Sequence, residues 1–315
     1  MNTATFSRFI LFFSLGLLPS LSSAQQVFYN GASVHVQAGA HIYIQGGFTN
    51  QGSGQVSSDG TITLTGDWEN NASNTVFTPG DTGLVVLEGS TQTIQGTGST
   101  HFARLSMKNA SVKTISVNTR VTDFLMIDSS EVALANDTLY LSNPVANSLT
   151  RSIGYISNGL NGAFVRATNT TSAYLFPMGS PVGTVRYRPI EVSPSTASAH
   201  QFGIGFINNN PTIDGFLTSN ANAPACYVNN KWYHKVARLA GNNAATLAIG
   251  FDGTTDTLFT GMANYPQSGW TVPNTSTVTS NVSPQLSYVN TSVANFTNTP
   301  TALTINTIPW NGVDG

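Results

Sequence analysis

The sequence predicts an all-β protein in which a parallel β-solenoid with coils of about 20 residues is followed by an antiparallel β-sandwich. Three observations predict this fold class. Only 8% of the 315 residues are charged, whereas exposed helix faces are usually covered by Glu, Lys and Arg. Residues 42–70 contain two copies of one pattern, displaced by 20 positions. Beyond residue 150, longer segments alternate between apolar and polar residues, as half-buried antiparallel strands do.

The first 24 residues have the features of an export signal. Arg8 precedes an apolar run over residues 9–18, which is too short to span a bilayer, and small residues occupy positions 22–24. We therefore expect cleavage after Ala24 and a secreted, extracellular protein. No later stretch is long and apolar enough to cross a membrane. Cleavage would remove Arg8 alone and leave 11 basic and 14 acidic residues. This surplus of negative charge argues against nucleic acid as a partner.

Two nine-residue segments define the repeat that predicts the solenoid. The segment IYIQGGFTN at residues 42–50 and the segment ITLTGDWEN at residues 62–70 agree at five positions. The agreement pairs Ile42 with Ile62, Ile44 with Leu64, Gly46 with Gly66, Phe48 with Trp68, and Asn50 with Asn70. A third copy begins at residues 85–89, and weaker apolar triplets follow at 105–107 and 124–126. The solenoid predicted from these copies spans residues 25–150.

The repeat also predicts which side chains meet between successive coils. Stacked strands lie about 4.8 Å apart, so the aliphatic positions should form ladders that face the interior. Phe48 should stack on Trp68, and Asn50 and Asn70 should form a hydrogen-bonded ladder at a corner. Glycine adopts positive φ angles without steric cost. We therefore expect positive φ angles at the corner glycines, which are Gly46, Gly66 and Gly89.

Asp67, Trp68 and Glu69 place an aromatic residue between two carboxylates. In the 20-residue register Asp67 falls on Gly47 and Glu69 on Thr49, so the carboxylates are the positions that vary. We interpret this segment as a structural corner. Two alternatives remain open: Trp68 could be exposed and stack on a sugar ring, or the two carboxylates could act as an acid and a base. The catalytic alternative requires two carboxylates held facing one another.

A segment rich in Pro, Asn and Ser at residues 141–152 separates the solenoid from a second predicted domain. We assign a β-sandwich to residues 151–298. Residues 299–315 are predicted to contain a final strand and a C-terminal tail, and the lack of a closing module there predicts a truncated chain. In the sandwich, AYLFPMGS and VRYRPIEV predict two strands around a Gly/Pro turn. Two further strands direct apolar side chains to one face: Phe202, Ile204 and Phe206 in one, and Leu247, Ile249 and Phe251 in the other.

The sequence contains no catalytic, cofactor-binding or metal-binding motif, so we assign no catalytic, cofactor or metal residue. The five histidines show no ligand spacing, and no Gly-x-Ser-x-Gly segment positions a nucleophile. FDGTTD at residues 251–256 has two carboxylates but lacks the full ligand series of a calcium loop, and we predict a hairpin turn there. Cys226 is the only cysteine and cannot form an internal disulfide. We predict that its thiol is buried and inert.

Several stretches resemble the large exported surface proteins of Bacteroidota. They are GGFTNQGSGQVSSDGTITLTGDWENN, GSTQTIQGTGSTHFARLSM, and a later region with YLFPMGS, YRPIEV and KWYHKV. Proteins of this kind are adhesin-like and are often cargo of the type IX secretion system, so the resemblance implies a protein associated with the cell surface. Such cargo carries a C-terminal sorting domain, which no segment of this sequence matches. The resemblance also implies O-glycosylation of Asp-Thr-Leu tripeptides, here at Thr138 and Thr257.

KWYHKVAR at residues 231–238 combines cations with Trp232 and Tyr233, a mixture that can bind single-stranded nucleic acid. The negative net charge and the export signal favour an ordinary strand with a polar outer face instead.

Two classes of function remain. The leading hypothesis is a non-enzymatic extracellular protein with a structural or adhesive role. Its solenoid would be a stalk, its sandwich a binding or spacer module, and its partners surface glycans or other cell-surface proteins. The alternative is carbohydrate binding or polysaccharide cleavage, with Trp68 or Trp232 stacking on a sugar ring. A catalytic solenoid would carry charged residues at one position of successive coils, where this sequence has Gly, Thr and Asn. This difference favours the leading hypothesis.

Overall fold

The computed structural model describes residues 26–279, 286–294, 296 and 299–306. The predicted export signal at residues 1–24 and the end of the predicted tail, residues 307–315, lie outside them. The described chain consists of strands and two short 3-10 helices, at Ala146–Ser148 and Pro211–Asp214. The prediction of an all-β fold is confirmed. Within these residues, no helix has the length and apolar character needed to cross a membrane.

Sixteen strands build the solenoid, which makes about 7 turns over residues 27–157. They are β1 Val27–Asn30, β2 Ser33–Val36, β3 His41–Ile44, β4 Gly47–Asn50, β5 Gln55–Ser58, β6 Thr61–Leu64, β7 Trp68–Asn70, β8 Leu84–Leu87, β9 Gln92–Gly96, β10 Thr100–Met107, β11 Val112–Ile115, β12 Thr119–Ile127, β13 Glu131–Ala133, β14 Thr138–Leu141, β15 Leu149–Arg151 and β16 Tyr155–Ser157. Thirteen more strands follow in the described chain. They are β17 Ala163–Thr168, β18 Tyr174–Phe176, β19 Gly179–Ser180, β20 Arg186–Tyr187, β21 Ile190–Pro194, β22 His200–Ile207, β23 Ala225–Val228, β24 Tyr233–Ala240, β25 Ala245–Asp252, β26 Gly261–Asn264, β27 Ser276–Thr279, β28 Leu286–Val293 and β29 Thr299–Asn306.

Parallel sheets form the walls of the solenoid. One sheet contains β1, β4, β7, β9, β11, β13 and β16 in that order, a second runs from β3 through β6, β8, β10 and β12 to β14, and β2 pairs with β5. The predicted register is confirmed, because Ile42 pairs with Ile62. Phe48 stacks on Trp68 with ring centroids 4.3 Å apart and an interplanar angle of 18°. Phe28 continues the stack beyond Phe48, at 5.8 Å and 12°.

The asparagine ladder is also confirmed. Asn30 Nδ2 donates to Asn50 Oδ1 at 2.9 Å, and Asn50 Nδ2 donates to Asn70 Oδ1 at 3.1 Å. All three side chains are buried, and Asn70 Nδ2 donates to the carbonyl oxygens of Asn74 and Ser99, so the buried amides are paired along the corner. The ladder starts one coil earlier than the sequence pattern indicated. Residues 27–30 share only the aromatic and Asn positions with the later copies, which is too little to identify a repeat unit.

The later coils follow the predicted register with one exception. The third and fourth copies, residues 85–87 and 105–107, pair in line with their neighbours. The predicted triplet 124–126 is one residue early, because Leu125 and Ile127 are the fully buried side chains. A β-bulge shifts the register between β10 and β12 at this point. Since the residues on both sides of Leu125 are apolar too, alternation could not identify the inward set.

The predicted role of the corner glycines is only partly right. Gly46 has a φ angle of 150°, whereas Gly66 and Gly89 are not in the positive φ region. A Cβ atom at Gly89 would clash with the carbonyl oxygen of Thr65. Close approach of two coils, rather than backbone conformation, therefore requires glycine at position 89.

The solenoid continues past its predicted end at residue 150. The segment 141–152, interpreted as the boundary between the two domains, contains β15, which pairs in parallel with β12, and β16 then pairs with β13. The change of architecture occurs at β17. This strand is parallel to β14 on one side and antiparallel to β22 on the other. One sheet of thirteen strands thus runs from the first coil, through β17, to β22, β24, β29 and β23.

A second antiparallel sheet, with the order β18, β21, β25, β28 and β27, packs on the end of this long sheet. The predicted strand pair around a Gly/Pro turn is confirmed by the antiparallel pairing of β18 with β21 and of β19 with β20. Rings from the two sheets meet between them, for example Phe164 and Phe176 at 5.6 Å. The two predicted apolar faces are confirmed, since Phe202, Ile204, Phe206, Leu247, Ile249 and Phe251 are all buried. A single hydrophobic cluster extends from Val36 in the first coil to Leu303 in β29.

One prediction about the last strands is confirmed, and one about a connection is wrong. The final strand predicted within residues 299–315 is β29, which lies inside the long sheet between β24 and β23 and also pairs with β26. The segment 251–256 turns as predicted but does not close a hairpin. It joins β25 in the five-stranded sheet to β26 at the edge of the long sheet, so it crosses between the two layers.

Candidate functional site

The two tryptophans proposed for sugar stacking are both fully buried. Trp68 lies in the aromatic stack of the solenoid, and its Nε1 donates to the Thr100 hydroxyl at 3.1 Å. Trp232 packs between Phe206 on β22 and Phe259, and its Nε1 donates to Asp256 at 3.2 Å. Neither ring has a face open to a ligand, so the predicted stacking role is wrong for both residues. A large ring fits the core at these positions because both indole N–H groups have internal acceptors.

The carboxylates on either side of Trp68 are bonded to different neighbours. Asp67 Oδ1 accepts the backbone N–H of Thr93 at 2.7 Å. Glu69 accepts from the Thr49 hydroxyl at 3.1 Å and from Asn71 Nδ2 at 2.8 Å. Both carboxylates are half-buried on the outside of the coil, since side chains alternate along a strand and Trp68 points inward. These contacts fit the structural corner and hold neighbouring coils together.

A buried charged cluster, which the sequence analysis missed, holds the crossing segment 251–256 in place. Arg188 Nε lies 2.6 Å from Asp256 Oδ2, and the two side chains are 5% and 1% exposed. His234 is fully buried beside them, with its Nε2 2.8 Å from the Arg188 carbonyl oxygen. Burial lowers the pKa of His234 to about 4, only partly opposed by that hydrogen bond. The imidazole is therefore neutral at neutral pH and donates to the carbonyl oxygen. The cluster joins the two sheets to each other.

The other residues singled out in the sequence lie apart from one another. Cys226 is exposed on β23, so the prediction of a buried thiol is wrong. It fails because alternation directs Ala225 and not Cys226 into the core. Thr138 and Thr257, the expected sites of O-glycosylation, are both half-buried. The described residues contain no group of three or more His, Cys, Asp and Glu side chains that could hold a metal ion.

A groove on the outer face of the thirteen-stranded sheet is the candidate binding site. It has a volume of about 280 Å³. It lies where the parallel strands β14 and β17 meet the antiparallel strands β22 and β24. One row of residues crosses these four strands in register: Tyr140, Val165, Gly203 and Ala237. The groove therefore spans the boundary between the two architectures.

The depth of the groove comes from two glycines. In the segment QFGIGF of β22, the apolar side chains point into the core, so Gly203 and Gly205 face outward. With no side chains at these positions, the backbone forms the floor. Leu160 and Leu239, which are 47% and 54% exposed, stand at the sides. Glycine in a strand interior often marks close approach by another group, and this is the only signal in the sequence that could have indicated the groove.

Polar groups and one aromatic ring stand around the apolar floor. Lys235 Nζ donates to the Leu160 carbonyl oxygen at 2.9 Å. Desolvation lowers the pKa of Lys235, and the nearby Asp214 carboxylate partly opposes this. Tyr140 is half-buried, and the Arg120 guanidinium lies 5.1 Å from its ring centroid. An ammonium group, an aromatic ring and the Thr138 hydroxyl around one groove are suited to bind a flat ligand with polar edges.

Comparison with protein-family models, with curated proteins and with solved structures gives no match for this chain. The class of the protein is therefore defined by its fold alone: a parallel β-solenoid whose longest sheet continues into antiparallel sheets.

Proposed function

We propose that this chain is a non-enzymatic extracellular protein with a structural or adhesive role, in which the solenoid is a stalk and the antiparallel part is a binding or spacer module. One observation carries the proposal. The hydrophobic cluster and the thirteen-stranded sheet both run through the two parts without interruption. A rod of this kind can hold a binding surface at a fixed distance, because no flexible linker separates stalk from module.

The outer groove is the part of the module that we assign to partner binding. Surface glycans or other cell-surface proteins are the partners that an exported, adhesin-like chain would meet. Export, attachment to a cell surface and the likeness to Bacteroidota surface proteins belong to the proposal and rest on the sequence features described above. The non-enzymatic part is supported by the contacts of Asp67 and Glu69, which bond to separate groups instead of facing each other.

Carbohydrate binding is a second candidate, and the groove favours it. Sugar rings bind to aromatic faces and to hydroxyl or ammonium donors, which Tyr140, Thr138 and Lys235 provide at one place. In this candidate function the sugar binds in the groove and not at Trp68 or Trp232. Glycosylation of Thr138 or Thr257, implied by the resemblance, stays a proposal. A glycan on Thr138 would stand at the edge of the groove, and mass spectrometry of the exported protein would detect it.

A glycan array probed with the purified protein tests the groove. We expect binding that is lost in Tyr140→Ala and in Lys235→Ala and kept in Lys231→Ala, since Lys231 is exposed and outside the groove. Thermal unfolding of each variant checks that the fold is intact. Binding that survives both groove variants would contradict the assignment of the site. Release of reducing ends from a bound polysaccharide would contradict the non-enzymatic role.

The stalk is tested separately by small-angle X-ray scattering. We expect a single elongated rigid body whose scattering matches the solenoid and the antiparallel sheets in fixed relation. Scattering that requires two bodies moving independently would overturn the role of the solenoid as a stalk.

A further inference from the structure

The first coil of the solenoid presents strands with a partner on one side only. Within the described chain, β1 is the outermost strand of the seven-stranded sheet, β3 is the outermost strand of the long sheet, and β2 pairs with β5 alone. Edge strands carry N–H and C=O groups that can pair with another chain. Among the residues that the structure describes, the solenoid therefore has one open end.

Large aromatic side chains are exposed at this open end. Phe28, Tyr29 and Tyr43 are 41%, 64% and 55% exposed. One face of the Phe28 ring stacks on Phe48. No aromatic ring of the described chain covers the other face. Apolar surface of this kind lowers the free energy of a complex when it is removed from water.

The usual protections of a sheet edge are absent from residues 26–58. Natural edges are blocked by charged residues, especially Lys, or by proline, and repeat arrays usually end in a polar capping unit. Residues 26–58, which form the first coil and much of the second, contain no Asp, Glu, Lys, Arg or Pro. Nothing in their composition opposes pairing with another strand.

The opposite end of the solenoid is closed. There β17 is covered by the antiparallel strand β22, and Met178 forms a bridge with Ile156 on β16. An open end therefore cannot continue the coils at the far end of another copy's solenoid. It can pair with the open end of another copy, and such a contact closes at two chains.

We propose that two copies of this chain associate head to head through their first coils, with β1 of each copy pairing antiparallel to β1 of the other. The first coil already stacks on a coil of its own pattern, ring on ring and Asn on Asn. A two-fold contact that keeps both interiors aligned sets residues of the same orientation opposite each other. In the register centred on Tyr29, which meets this condition, Tyr29 lies opposite its counterpart in the second copy.

Sedimentation equilibrium of the exported protein, with its N-terminus read by mass spectrometry, tests the association. We expect a monomer–dimer equilibrium that Tyr29→Lys shifts at least about tenfold toward monomer, because two like charges would face each other. Ile153→Lys is the matched control. Ile153 is 73% exposed and lies on the last coil, between β15 and β16, so this variant should associate like the parent protein.

Hydrogen exchange shows where the copies touch. We expect exchange of the β1 amides to slow as protein concentration rises, while β11 in the middle of the solenoid stays unchanged. A chain that remains monomeric throughout the concentration series would overturn the proposal. So would a dimer that Tyr29→Lys leaves intact, or a dimer without added protection of β1.

Discussion

The solenoid and the antiparallel part of this chain bury their polar groups in different ways. The solenoid stacks neutral amides on equivalent positions, as between Asn50 and Asn70, which are 20 residues apart. The antiparallel part buries an ion pair between Arg188 and Asp256, which are 68 residues apart. The main exception to this use of neutral groups in the solenoid is the charged residue Lys113. Its Nζ is buried and donates to Gln92 Oε1 at 2.8 Å.

This difference arises because the solenoid is built from repeats and the antiparallel part is not. A ladder of identical charged residues would set like charges about 4.8 Å apart on neighbouring strands, so a stacked coil must use neutral side chains. The antiparallel sheets bring together residues that are not equivalent positions of a repeat. A single pair of opposite charges can therefore form between the two sheets. An ion pair buried in this way depends on both partners, since an unpaired charge is costly in the core.

The largest effect should follow from removing the charge of Asp256. Asp256→Asn leaves the Arg188 guanidinium buried without its counter-ion, and we expect a loss of about 4 kcal/mol in the free energy of unfolding. Urea unfolding measures it. Asp252→Asn is the control in the same turn, because Asp252 bonds to Thr254 at the surface. A similar small loss in both variants would show that the ion pair does not hold the two sheets.

Breaking the neutral ladder should cost less. Asn50→Ala removes one amide from the middle of the ladder and leaves Asn30 Nδ2 without that acceptor, and we expect a loss of about 2 kcal/mol. The matched control is Asn71→Ala on the next coil, where the side chain is exposed. If Asn50→Ala cost more than Asp256→Asn in the same urea assay, the contrast between ladder and ion pair would be reversed.

Acid should weaken the antiparallel part through His234. Its pKa is about 4 in the folded protein, against about 6.5 when unfolded. The unfolded chain therefore binds more protons between these values, and stability present above pH 6.5 is lost as the pH falls. From pH 7 to pH 5.5 we expect a loss of about 1 kcal/mol that is absent in His234→Gln. Equal pH dependence of the two proteins in urea unfolding would argue against a neutral, buried imidazole.

The smallest effect should come from the solenoid corner. In Asp67→Asn the new side chain keeps an oxygen that can accept from the Thr93 N–H, so we expect a change of less than about 0.5 kcal/mol. Thermal unfolding of the variant and the parent protein gives this difference. A loss of several kcal/mol would mean that the charge itself holds the coils together.

The repeat made the solenoid predictable to the level of single contacts. Ile42 and Ile62, or Phe48 and Trp68, meet because equal spacing along the chain becomes equal position on the coil. Where two adjacent positions are both apolar, as around Leu125, the pattern identified the strand but not the inward residues. The exposed position of Cys226 was missed for a related reason. Its strand is so short that the alternation of apolar and polar residues does not show which side chains face the core.

The candidate site was beyond the reach of such patterns. The groove combines Tyr140 on β14, Val165 on β17, Gly203 on β22 and Ala237 on β24, residues with no common spacing. Trp232 was proposed as a sugar-binding residue because a tryptophan beside cations fits an open surface and a core equally well in sequence. Only the connection between β25 and β26, which brings Phe259 and Asp256 against Trp232, shows that its ring is covered.

The sequence by itself determined the all-β class, the 20-residue coil and the side chains that stack within it, because each of these depends on contacts repeated at a fixed spacing. The tertiary structure alone decided where the long sheet changes from parallel to antiparallel, which charges are buried together, and where a groove opens. Those features depend on contacts between segments that are distant in the sequence. Each such contact occurs only once, so it leaves no periodic pattern in the sequence.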